Sequence, residues 1–442
     1  MENREYDIVI IGAGILGTSL AYMFSTFTDY RVALIEKENS PAMHASSRNT
    51  GVIHRPFYLD PERKKIFAKA AQYSYSMWKE LSLKYGLPWN QNGTIEVAVR
   101  ESDLDVLQKY AHFSTVNGMD REEFEILNSS DVSRIEPSVH CKGAFYSKTD
   151  TGVSFRHYAE KLLELAVSRG LVSMFNASIE EISDEEYTII LRTGESKRYK
   201  IQFKTVINVA GGGSLELARR FGLARKYTVL HFRGDYWRVS GSLDGRIRRN
   251  IYSVPRHSKY PFLDPHFVIR HDGTMELGPN AALVAGPYGY LKGDPNRRKG
   301  DFDLFSRPLM PKLKLFTDAE FMSMVRQEWK SSTHRDAMIA RISQFVSGIG
   351  PGDITGRGLS GIRHNLIDSR GFVPEAVIET GQSSLNVLNY NSPGATGAPA
   401  YSAYLIGRMI DAGLISGNRI KGKSESVIPW GLSFMPLLEK MS

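Results

Sequence analysis

The chain begins with a strand, a glycine-rich turn, a helix and a second strand, and this order constrains its fold more than any other feature. Residues 7–11 are a short β-branched run typical of a buried strand, and residues 12–17 read GAGILG. Residues 18–27 have the pattern of a helix and residues 31–35 that of a second strand, which Glu36 ends 19 positions after the last glycine. Because all four parts stand in the required order, the segment predicts a dinucleotide-binding βαβ unit.

Each position of this unit has a physical task. Gly12 allows the tight turn, Gly14 lets the backbone approach a pyrophosphate, and Gly17 lets the helix pack close to the strand. The helix N-terminus supplies free amides and the positive end of a dipole. Glu36 is placed to accept hydrogen bonds from both hydroxyls of an adenosine ribose, and its charge disfavours a 2′-phosphate. The motif therefore argues against NADP, but it fits FAD and NAD equally.

Two further glycine-rich turns lie far along the chain. Residues 205–213 read as a buried strand that ends in a glycine turn, and a helix follows over residues 214–221. Residues 386–397 repeat the pattern, with a strand followed by NSPGATG, and a helix follows over residues 398–412. Small residues at a helix start offer backbone amides to an anionic or polar group. Three such sites predict one long cofactor bound by discontinuous segments, and FAD is long enough to need them.

The segments between these turns also favour a flavin over a nicotinamide. Residues 45–54 (ASSRNTGVIH) suit a loop that lays amides and hydroxyls along a ligand. A plain NAD dehydrogenase usually continues with another βαβ unit, whereas a helical stretch follows here over residues 61–85. Further on, we predict a helix over residues 155–170 and strands over residues 172–182 and 188–193.

Composition excludes several other classes of protein. Apolar residues make up 42% and charged residues 24% of the 442, which is the usual globular mix and not that of a disordered or collagenous chain. Cys141 is the single cysteine, so an intrachain disulfide and a cysteine-built metal site are excluded, and we expect no metal. The chain shows neither a signal peptide nor an apolar run long enough to span a membrane, so we expect a cytoplasmic protein.

Part of the net charge of +8 comes from one segment, because basic residues concentrate over residues 225–259. This segment is either a solvent-exposed basic face or a surface that binds an anionic partner. Aromatic residues are scattered and no known nucleic-acid module is present, so we expect no nucleic-acid partner.

Seven short motifs are spread almost end to end along the chain. They are residues 47–54 (SRNTGVIH), 92–94 (NGT), 231–236 (HFRGDY), 260–267 (YPFLDPHF), 277–281 (LGPNA), 360–363 (SGIR) and 392–396 (SPGAT). In this order they resemble flavoproteins of the D-amino-acid-oxidase and glycerol-3-phosphate-dehydrogenase superfamily, and within it the L-2-hydroxyglutarate dehydrogenases and oxidases. HFRGDY and LGPNA are specific to this branch, whereas the first glycine motif is generic.

Two segments depart from the pattern of that family. Residues 55–57 (RPF) follow His54 where the family usually has Ala-Gly and a small or aromatic residue, and residues 364–366 (HNL) also differ. Both segments are expected near the substrate, so the resemblance leaves the exact acid open.

The resemblance implies a mixed α/β fold, in which a Rossmann-like FAD-binding domain is interleaved with a substrate domain on a mixed, largely antiparallel sheet. An Asp-Gly turn within residues 266–274 predicts a hairpin in that sheet. The expected boundaries are 1–85, 150–225 and 355–415 for the FAD domain, 86–149 and 226–354 for the cap, and 416–442 for a C-terminal tail.

The motifs and the resemblance together assign one set of residues to the cofactor. It comprises Gly12, Gly14, Ile15, Leu16, Gly17, Glu36, Lys37, Ser46, Ser47, Asn49, Thr50, Gly51, Val52, Ile179, Ala210, Gly211, Gly361, Arg363, Pro393, Gly394, Ala395 and Thr396.

The reaction implied by the resemblance is the oxidation of a 2-hydroxy acid, with L-2-hydroxyglutarate as the first candidate. A base takes the hydroxyl proton while the C2 hydride goes to the flavin, and a pKa near the working pH favours histidine. His54 is the first choice because it ends the loop expected to run toward the flavin ring, and a histidine held by backbone groups is the alternative interpretation. His266 is the second choice, and His231 and His257 are weaker and more typical of structural residues.

A dicarboxylate needs two cationic groups, and the fork of arginine binds carboxylates in a bidentate manner. Arg363 matches the superfamily arginine that faces the substrate, so we assign it to the carboxylate next to C2. For the distal carboxylate we name Arg256, with Arg55 as an alternative particular to this chain, and a surface charge is the competing interpretation of Arg256. Arg233 is interpreted as flavin-proximal or structural.

Two other functions stay open at this point. One is a flavin oxidoreductase acting on glycerol 3-phosphate or an amino acid, and the other is a non-catalytic flavin-binding protein. The electron acceptor, oxygen or a quinone, is also open. Residues 427–438 are apolar and follow Lys421 and Lys423, so this segment either packs on its own domain or lies on the inner face of a membrane.

Overall fold

The structure is a computed structural model that describes residues 2–194, 197–240, 243, 245–256, 260, 264–298, 303–421 and 430–441. Its strands are β1 (Glu2–Ile11), β2 (Val32–Ile35), β3 (Val52–Ile53), β4 (Thr94–Ala98), β5 (Phe124–Asn128), β6 (Gly143–Ser147), β7 (Thr151–Gly152), β8 (Val172–Met174), β9 (Ala177–Ser183), β10 (Thr188–Thr193), β11 (Arg198–Asn208), β12 (Thr228–Gly234), β13 (Trp237–Val239), β14 (Asn250–Ser253), β15 (His266–Ile269), β16 (Met275–Gly278), β17 (Ala282–Val284), β18 (Ile354–Arg357), β19 (Gly361–Asp368), β20 (Gly371–Phe372), β21 (Val377–Thr380) and β22 (Ser384–Leu388).

Helices connect and cover these strands. They are α1 (Ile15–Phe27), α2 (Lys65–Tyr85), α3 (Leu104–Val116), α4 (Ser129–Ile135), α5 (Phe155–Val167), α6 (Ser214–Arg220), α7 (Met310–Phe316), α8 (Ala319–Thr333), α9 (Arg335–Ile342), α10 (Gly394–Asp411) and α11 (Trp430–Met441). No helix among the described residues is long and apolar enough to cross a membrane.

A parallel sheet surrounds the first strand. Its order is β8–β2–β1–β11–β22, with all neighbours parallel, and β21 pairs antiparallel with β22 at one edge. β10 and β9 extend the sheet antiparallel from the first half of β11. Alternate side chains of β1 point to opposite faces, as a period of two requires, so Ile8 and Ile10 join the core under α1, α5 and α10, whereas Val9 and Ile11 join a second core. The first segment thereby adopts the predicted βαβ arrangement.

A second large sheet has the order β18–β13–β16–β15–β14–β4–β6–β5. Its strands are antiparallel except for β14 and β4, which are parallel. β15 and β16 form the predicted hairpin around the Asp-Gly turn, where Gly273 has a φ of +84°. The two sheets together confirm the predicted mixed α/β fold class.

Two small antiparallel sheets carry segments of the predicted site. One has the order β17–β12–β19–β20 and places Arg363 opposite Phe232 and His364 opposite His231. The other is the pair β3–β7, in which Val52 lies opposite Gly152.

The predicted elements are present, but several of their ends differ. The strand predicted over residues 172–182 is two strands, because the chain turns at Asn176, whose φ is +51°. The helix predicted from residue 61 begins at Lys65, and the helix predicted from residue 398 begins at Gly394. Such shifts follow from tertiary packing, which moves element ends without changing their type.

The domain boundaries stay a prediction. β4, β5 and β6, from the expected cap, share one sheet with β13 to β16. However, β12 from the segment 226–354 pairs with β19 from the segment 355–415, so the two expected units also share a sheet.

The C-terminal tail is described in part. Residues 422–429 lie outside the described residues, and they include the start of the apolar segment 427–438. α11 packs near α10 and α2, and Leu437 and Met441 are buried in the core that also contains α1.

Candidate active site

A single cavity of about 570 Å³ is lined by all three glycine-rich segments. We call it the central cavity. Its lining includes Glu36 and Lys37, Gly14, the turn over residues 210–213, and His54 with other polar residues.

The glycines of the first turn divide into two kinds. Gly12 has a φ of +109°, and a Cβ there would lie 2.7 Å from the carbonyl oxygen of Val209. A Cβ on Gly17 would collide with the carbonyl oxygen of Gly12, and Gly17 does not line the central cavity. Gly14 does line it, beside Ser46. The first and last glycines therefore allow close backbone packing, and at the middle one the absence of a side chain leaves the backbone exposed to the cavity.

Glu36 is held in place in the wall of the central cavity. Its Oε2 accepts a hydrogen bond from the Ala13 N–H (2.8 Å), and its Oε1 accepts one from the Glu38 N–H (2.9 Å). Lys37 and Ile179 line the wall beside it. The carboxylate therefore stands at the carboxyl end of β2, where a ribose is bound in dinucleotide folds.

The polar loop after residue 45 lies along the wall. The Ser46 hydroxyl accepts a hydrogen bond from the Ile15 N–H (3.0 Å) at the start of α1. The Asn49 side chain accepts one from the Gly51 N–H (2.8 Å), which holds Gly51 at a φ of +70°. This loop is also anchored from outside, because Arg48 forms a bidentate pair with Asp294 (2.7 and 3.1 Å).

His54 is paired with a buried carboxylate. Because β3 and β7 pair, the residue after β3 meets the residue before β7, and His54 Nδ1 lies 2.7 Å from Asp150 Oδ2. Asp150 is fully buried and also accepts hydrogen bonds from the Arg55 N–H (2.9 Å) and the Ser147 hydroxyl (2.6 Å). A carboxylate accepts, so His54 Nδ1 donates and Nε2, 3.4 Å from the Tyr252 hydroxyl, is left as the basic nitrogen.

His266 has a different environment. It is fully buried, stacks on Tyr252 with ring centroids 3.9 Å apart, and has Nδ1 3.3 Å from the carbonyl oxygen of Asp264. Burial lowers the pKa of His266 well below its usual value, because the charged ring is poorly solvated there. It therefore lines the cavity as a neutral ring without a carboxylate side chain to support a positive charge.

Arg363 lies in the wall of the same cavity. Burial lowers the pKa of its guanidinium, although arginine stays protonated at neutral pH. Tyr58 and Tyr236 lie within electrostatic range of it. The cavity lining thus contains both the Arg363 guanidinium and the carboxylate-paired histidine His54.

The other proposed arginines lie outside the lining of the cavity. Arg256 is exposed, its N–H donates to Asp264 (2.8 Å), and its guanidinium contacts Gln344. Arg55 is buried in an ion pair with Glu123 (2.8 Å). The structure therefore does not bring either arginine together with His54 and Arg363 in the cavity.

Most of the remaining predicted residues do line the cavity. Of the set assigned to the cofactor, the exceptions are Gly17, Ser47 and Gly51. His231 is buried and bridges His364 (2.8 Å) and Asp303 (2.9 Å), as a structural residue would. His257 and residues 261–263 of one family motif lie outside the described residues.

Sequence reasoning missed several polar residues of the cavity and its wall. Asp150 stands 96 positions from His54, and only the pairing of β3 with β7 brings them together. The others are Glu96, Tyr58, Tyr236 and Tyr252. The one sequence signal that could have identified Glu96 is its place in β4, where a glutamate stands among apolar residues.

The residues that line the cavity fit FAD. Gly14, the residue before α1, has no side chain that could cap the helix, and Gly14 and the turn over residues 211–213 line the cavity beside the helix start, as a pyrophosphate site requires. Glu36 would supply the acceptor for a ribose, and His54 lines the same cavity. Within the described ranges, no cluster of His, Cys, Asp or Glu is suited to hold a metal ion.

Replacing Gly17 with alanine is expected to lower both stability and flavin content. The added Cβ would meet the Gly12 carbonyl oxygen, and overpacking of this kind costs about 1–3 kcal/mol. The measurements are the melting temperature and the flavin absorbance per chain after desalting. Gly352→Ala is the control, because a Cβ there meets nothing within 4 Å. Equal flavin content and stability in both variants would contradict the packing role of Gly17.

Comparison with known proteins agrees with this geometry. A family model described as FAD dependent oxidoreductase (DAO) matches residues 7–408. The L-2-hydroxyglutarate dehydrogenase of Escherichia coli K12 is 26% identical over 413 residues, covering 91% of this chain and 93% of the relative. The mitochondrial L-2-hydroxyglutarate dehydrogenase of Caenorhabditis elegans is 29% identical over 430 residues, covering 94% of both chains.

Among solved structures, the chain is similar to L-α-glycerophosphate oxidase from Mycoplasma pneumoniae with FAD bound. The TM-score is 0.67 at 20% sequence identity, and the match covers 91% of this chain and 93% of that one. At this level of identity the likeness concerns the fold.

Proposed function

The chain belongs to the family of FAD-dependent oxidoreductases, and from this premise we propose that it oxidises a small 2-hydroxy acid to the 2-oxo acid. Membership of the family confirms the predicted cofactor, FAD, and the predicted enzyme class. L-2-hydroxyglutarate is the first substrate to test, because relatives that cover nine-tenths of the chain carry that name.

The observation that carries the proposal is the His54–Asp150 pair in the same cavity as Arg363. Oxidation of an alcohol requires a base for the hydroxyl proton, and His54 Nε2 is a supported base. A free amine needs no such base. The pair therefore favours a hydroxy acid over an amino acid.

Each residue has a defined part in the proposed mechanism. Arg363 binds the C1 carboxylate through its planar fork and so fixes C2 in the cavity. His54 Nε2 takes the hydroxyl proton, and Asp150 stabilises the imidazolium that forms. Bound FAD would supply the acceptor for the hydride that leaves C2. The residues of the three glycine-rich segments would hold FAD, and their small side chains leave room for its pyrophosphate.

The test is an anaerobic titration of the yellow protein with L-2-hydroxyglutarate, followed at the visible flavin band. Bleaching by the L isomer and not by the D isomer supports the substrate and its handedness. If other 2-hydroxy acids bleach the flavin and L-2-hydroxyglutarate does not, the proposed reaction stands and L-2-hydroxyglutarate is rejected as the substrate. Bleaching only by glycerol 3-phosphate or amino acids, or by none of these compounds, overturns the proposal. Reoxidation by oxygen or by a soluble quinone then identifies the acceptor.

Replacing Asp150 with asparagine is expected to slow flavin reduction by roughly 10- to 150-fold. In the variant a neutral amide replaces the carboxylate, so the charge-assisted hydrogen bond that supports the protonated ring, worth about 1.5–3 kcal/mol, is lost. The rate of flavin reduction is measured by stopped flow at a series of pH values. Because the imidazolium of His54 loses its supporting charge, the dependence of this rate on pH is also expected to change. An unchanged rate and profile would remove Asp150 from this role.

A further inference from the structure

Two histidines connect the wall of the central cavity to a partly exposed carboxylate. His231 of β12 lies opposite His364 of β19, and their Nδ1 atoms are 2.8 Å apart. Asp303 follows on the other side of His231, with its Oδ2 2.9 Å from His231 Nε2. His231 is 1% exposed, whereas His364 lines the cavity. We call Asp303, His231 and His364 the histidine row, and the proposed mechanism does not use it.

The His364 ring lies against the second glycine-rich turn. A Cβ on Gly212 would lie 2.7 Å from both Nε2 and Cε1 of this ring, so the absence of a side chain gives the ring its place. The same turn contacts the first one, because a Cβ on Gly12 would lie 2.9 Å from the Cα of Ala210. His364 therefore stands in the cavity wall close to the place where two glycine-rich segments meet.

The hydrogen bonds of the row decide what His364 Nε2 presents to the cavity. The Asp303 carboxyl group is ionised, since its hydrogen bond with His231 lowers its pKa, so His231 Nε2 donates to it. A neutral His231 then accepts at Nδ1, and the hydrogen between the two rings belongs to His364 Nδ1. His364 Nε2 consequently has no hydrogen and can only accept.

One added proton reverses this polarity. The two Nδ1 atoms share a single hydrogen, so a further hydrogen can be placed only on His364 Nε2. Nε2 then donates toward the cavity, and the Asp303 carboxylate balances the positive charge carried by the two rings. Within the part of the chain that the structure describes, His364 Nε2 has no hydrogen-bond partner of its own.

The surroundings favour the neutral row as long as no anion is bound. Burial lowers the pKa of His364 well below its usual value, and the charges of His231 and His44 act in the same direction. Lys312 and Arg219 lie within electrostatic range of the carboxylate end of the row and also disfavour a further positive charge. An anion at Nε2 is therefore what would bring the extra proton into the row.

The neighbouring parts of the cavity supply no competing cation to such an anion. Neither turn, over residues 12–17 or over residues 210–213, contains a charged side chain. Three other basic side chains of the cavity lining are already paired with carboxylates. They are Lys37, Arg48 and Arg220, whose partners are Glu38, Asp294 and Glu216. A diphosphate at the two turns would thus meet backbone amides and the ring of His364.

We propose that His364 Nε2 donates a hydrogen bond to the diphosphate of FAD, and that the histidine row takes up one proton when FAD binds. His231 and Asp303 are positioning residues, because they hold the ring of His364 and balance the charge of this proton. A diphosphate only accepts hydrogen bonds, so it selects the protonated row over the neutral one. The affinity for FAD therefore falls as the pH rises. The proposal depends on the cofactor and not on the substrate.

The test is the dissociation constant of FAD between pH 6 and pH 9, a range in which free FAD does not titrate. The FAD-loaded enzyme is diluted, and the fluorescence of the released flavin gives Kd at each pH. For the wild type we expect Kd to rise by up to about tenfold per pH unit, the limit for uptake of one proton. The melting temperature at each pH shows that the fold is kept. A Kd that does not change with pH overturns the proposal.

His364→Gln and His364→Leu separate hydrogen bonding from titration. The amide of glutamine donates without a charge, so His364→Gln is expected to keep FAD and to lose the pH dependence of Kd. His364→Leu has no donor, and its Kd at pH 6 is expected to exceed that of the wild type by roughly 10- to 150-fold, the usual size for a hydrogen bond to a charged group. His112→Gln is the matched control, because His112 is an exposed histidine outside the cavity lining.

Asp303→Asn tests the other end of the row with a readout that a purely structural role would not change. The amide of asparagine can donate to His231 Nε2, which makes His231 Nδ1 the donor between the rings and leaves the hydrogen of His364 on Nε2. The row then donates to FAD without an added proton. We therefore expect Asp303→Asn to bind FAD with a Kd that depends less on pH than that of the wild type.

Phosphorus-31 NMR of the FAD-loaded proteins tests the contact with the diphosphate itself. Its resonances are expected to be displaced in His364→Leu and unchanged in His112→Gln, each relative to the wild type. Identical resonances in wild type and His364→Leu overturn the assignment to the diphosphate. A wild-type pH dependence of Kd in His364→Gln or in Asp303→Asn overturns the role of the row. No substrate is used, so these outcomes stand whether or not the enzyme oxidises a 2-hydroxy acid.

Discussion

His54→Ala is expected to leave a folded, yellow protein whose reduction by the 2-hydroxy acid slows by about 10²- to 10⁴-fold, the usual effect of losing a general base. The variant removes Nε2, the nitrogen that the Asp150 pair leaves free to take the proton. Stopped-flow absorbance of the flavin band under anaerobic conditions measures this rate directly. Flavin content and melting temperature show whether the fold has been kept.

His140→Ala is the control for that experiment, because His140 is exposed and outside the cavity lining. It is expected to reduce at the wild-type rate. If His54→Ala also keeps that rate, His54 is not the base, and His266 becomes the next residue to replace. A low pKa makes His266 the weaker base, so a large effect there would need a change in its surroundings on substrate binding.

Arg363→Met is the second variant with a large expected effect. Removing one partner of a buried charged pair costs about 2–5 kcal/mol, or roughly 30- to 4,000-fold in kcat/KM at 1.4 kcal/mol per tenfold. Since Arg363 is assigned to binding, most of the loss is expected in KM. Steady-state kinetics measures kcat and KM, and titration of the flavin spectrum with substrate measures binding.

Arg256→Met is the matched control, and it also tests the role expected for Arg256 from the sequence. Its guanidinium is exposed and contacts Gln344 outside the cavity, so we expect kcat/KM to stay within about twofold of the wild type. A loss as large as that of Arg363→Met would show that Arg256 reaches the substrate when it binds. Equal, small effects in both variants would remove Arg363 from its assigned role.

The cofactor end of the cavity was largely predictable from the sequence. Gly12 and Gly17 are required by local backbone geometry, and Gly14 and Glu36 follow from their positions at the ends of adjacent elements. The two remote glycine turns can also be recognised in the sequence, because each joins a predicted strand to a predicted helix. Their convergence on one cavity agrees with the inference of a long cofactor.

The substrate end was predictable only in part. His54 and Arg363 were found because they lie within motifs, but Arg256 was chosen by residue type alone and does not line the cavity. Asp150 and Glu96 were not found at all. Residue type and spacing carry no information about which strand a distant segment will pair with, and here that pairing decides the outcome.

The sequence by itself determined the fold class, the family resemblance and the dinucleotide end of the site, since these depend on short-range order: a strand, a turn without side chains and a helix start. Only the tertiary structure decided which charges share the cavity at the other end. The pairing of β3 with β7 gives His54 its carboxylate, and the pairing of β4 with β14 sets Glu96 beside Tyr252. These contacts join segments about 100 to 150 residues apart, and their physical consequences, a supported base and a buried acid in the cavity wall, exist only once the sheets have formed.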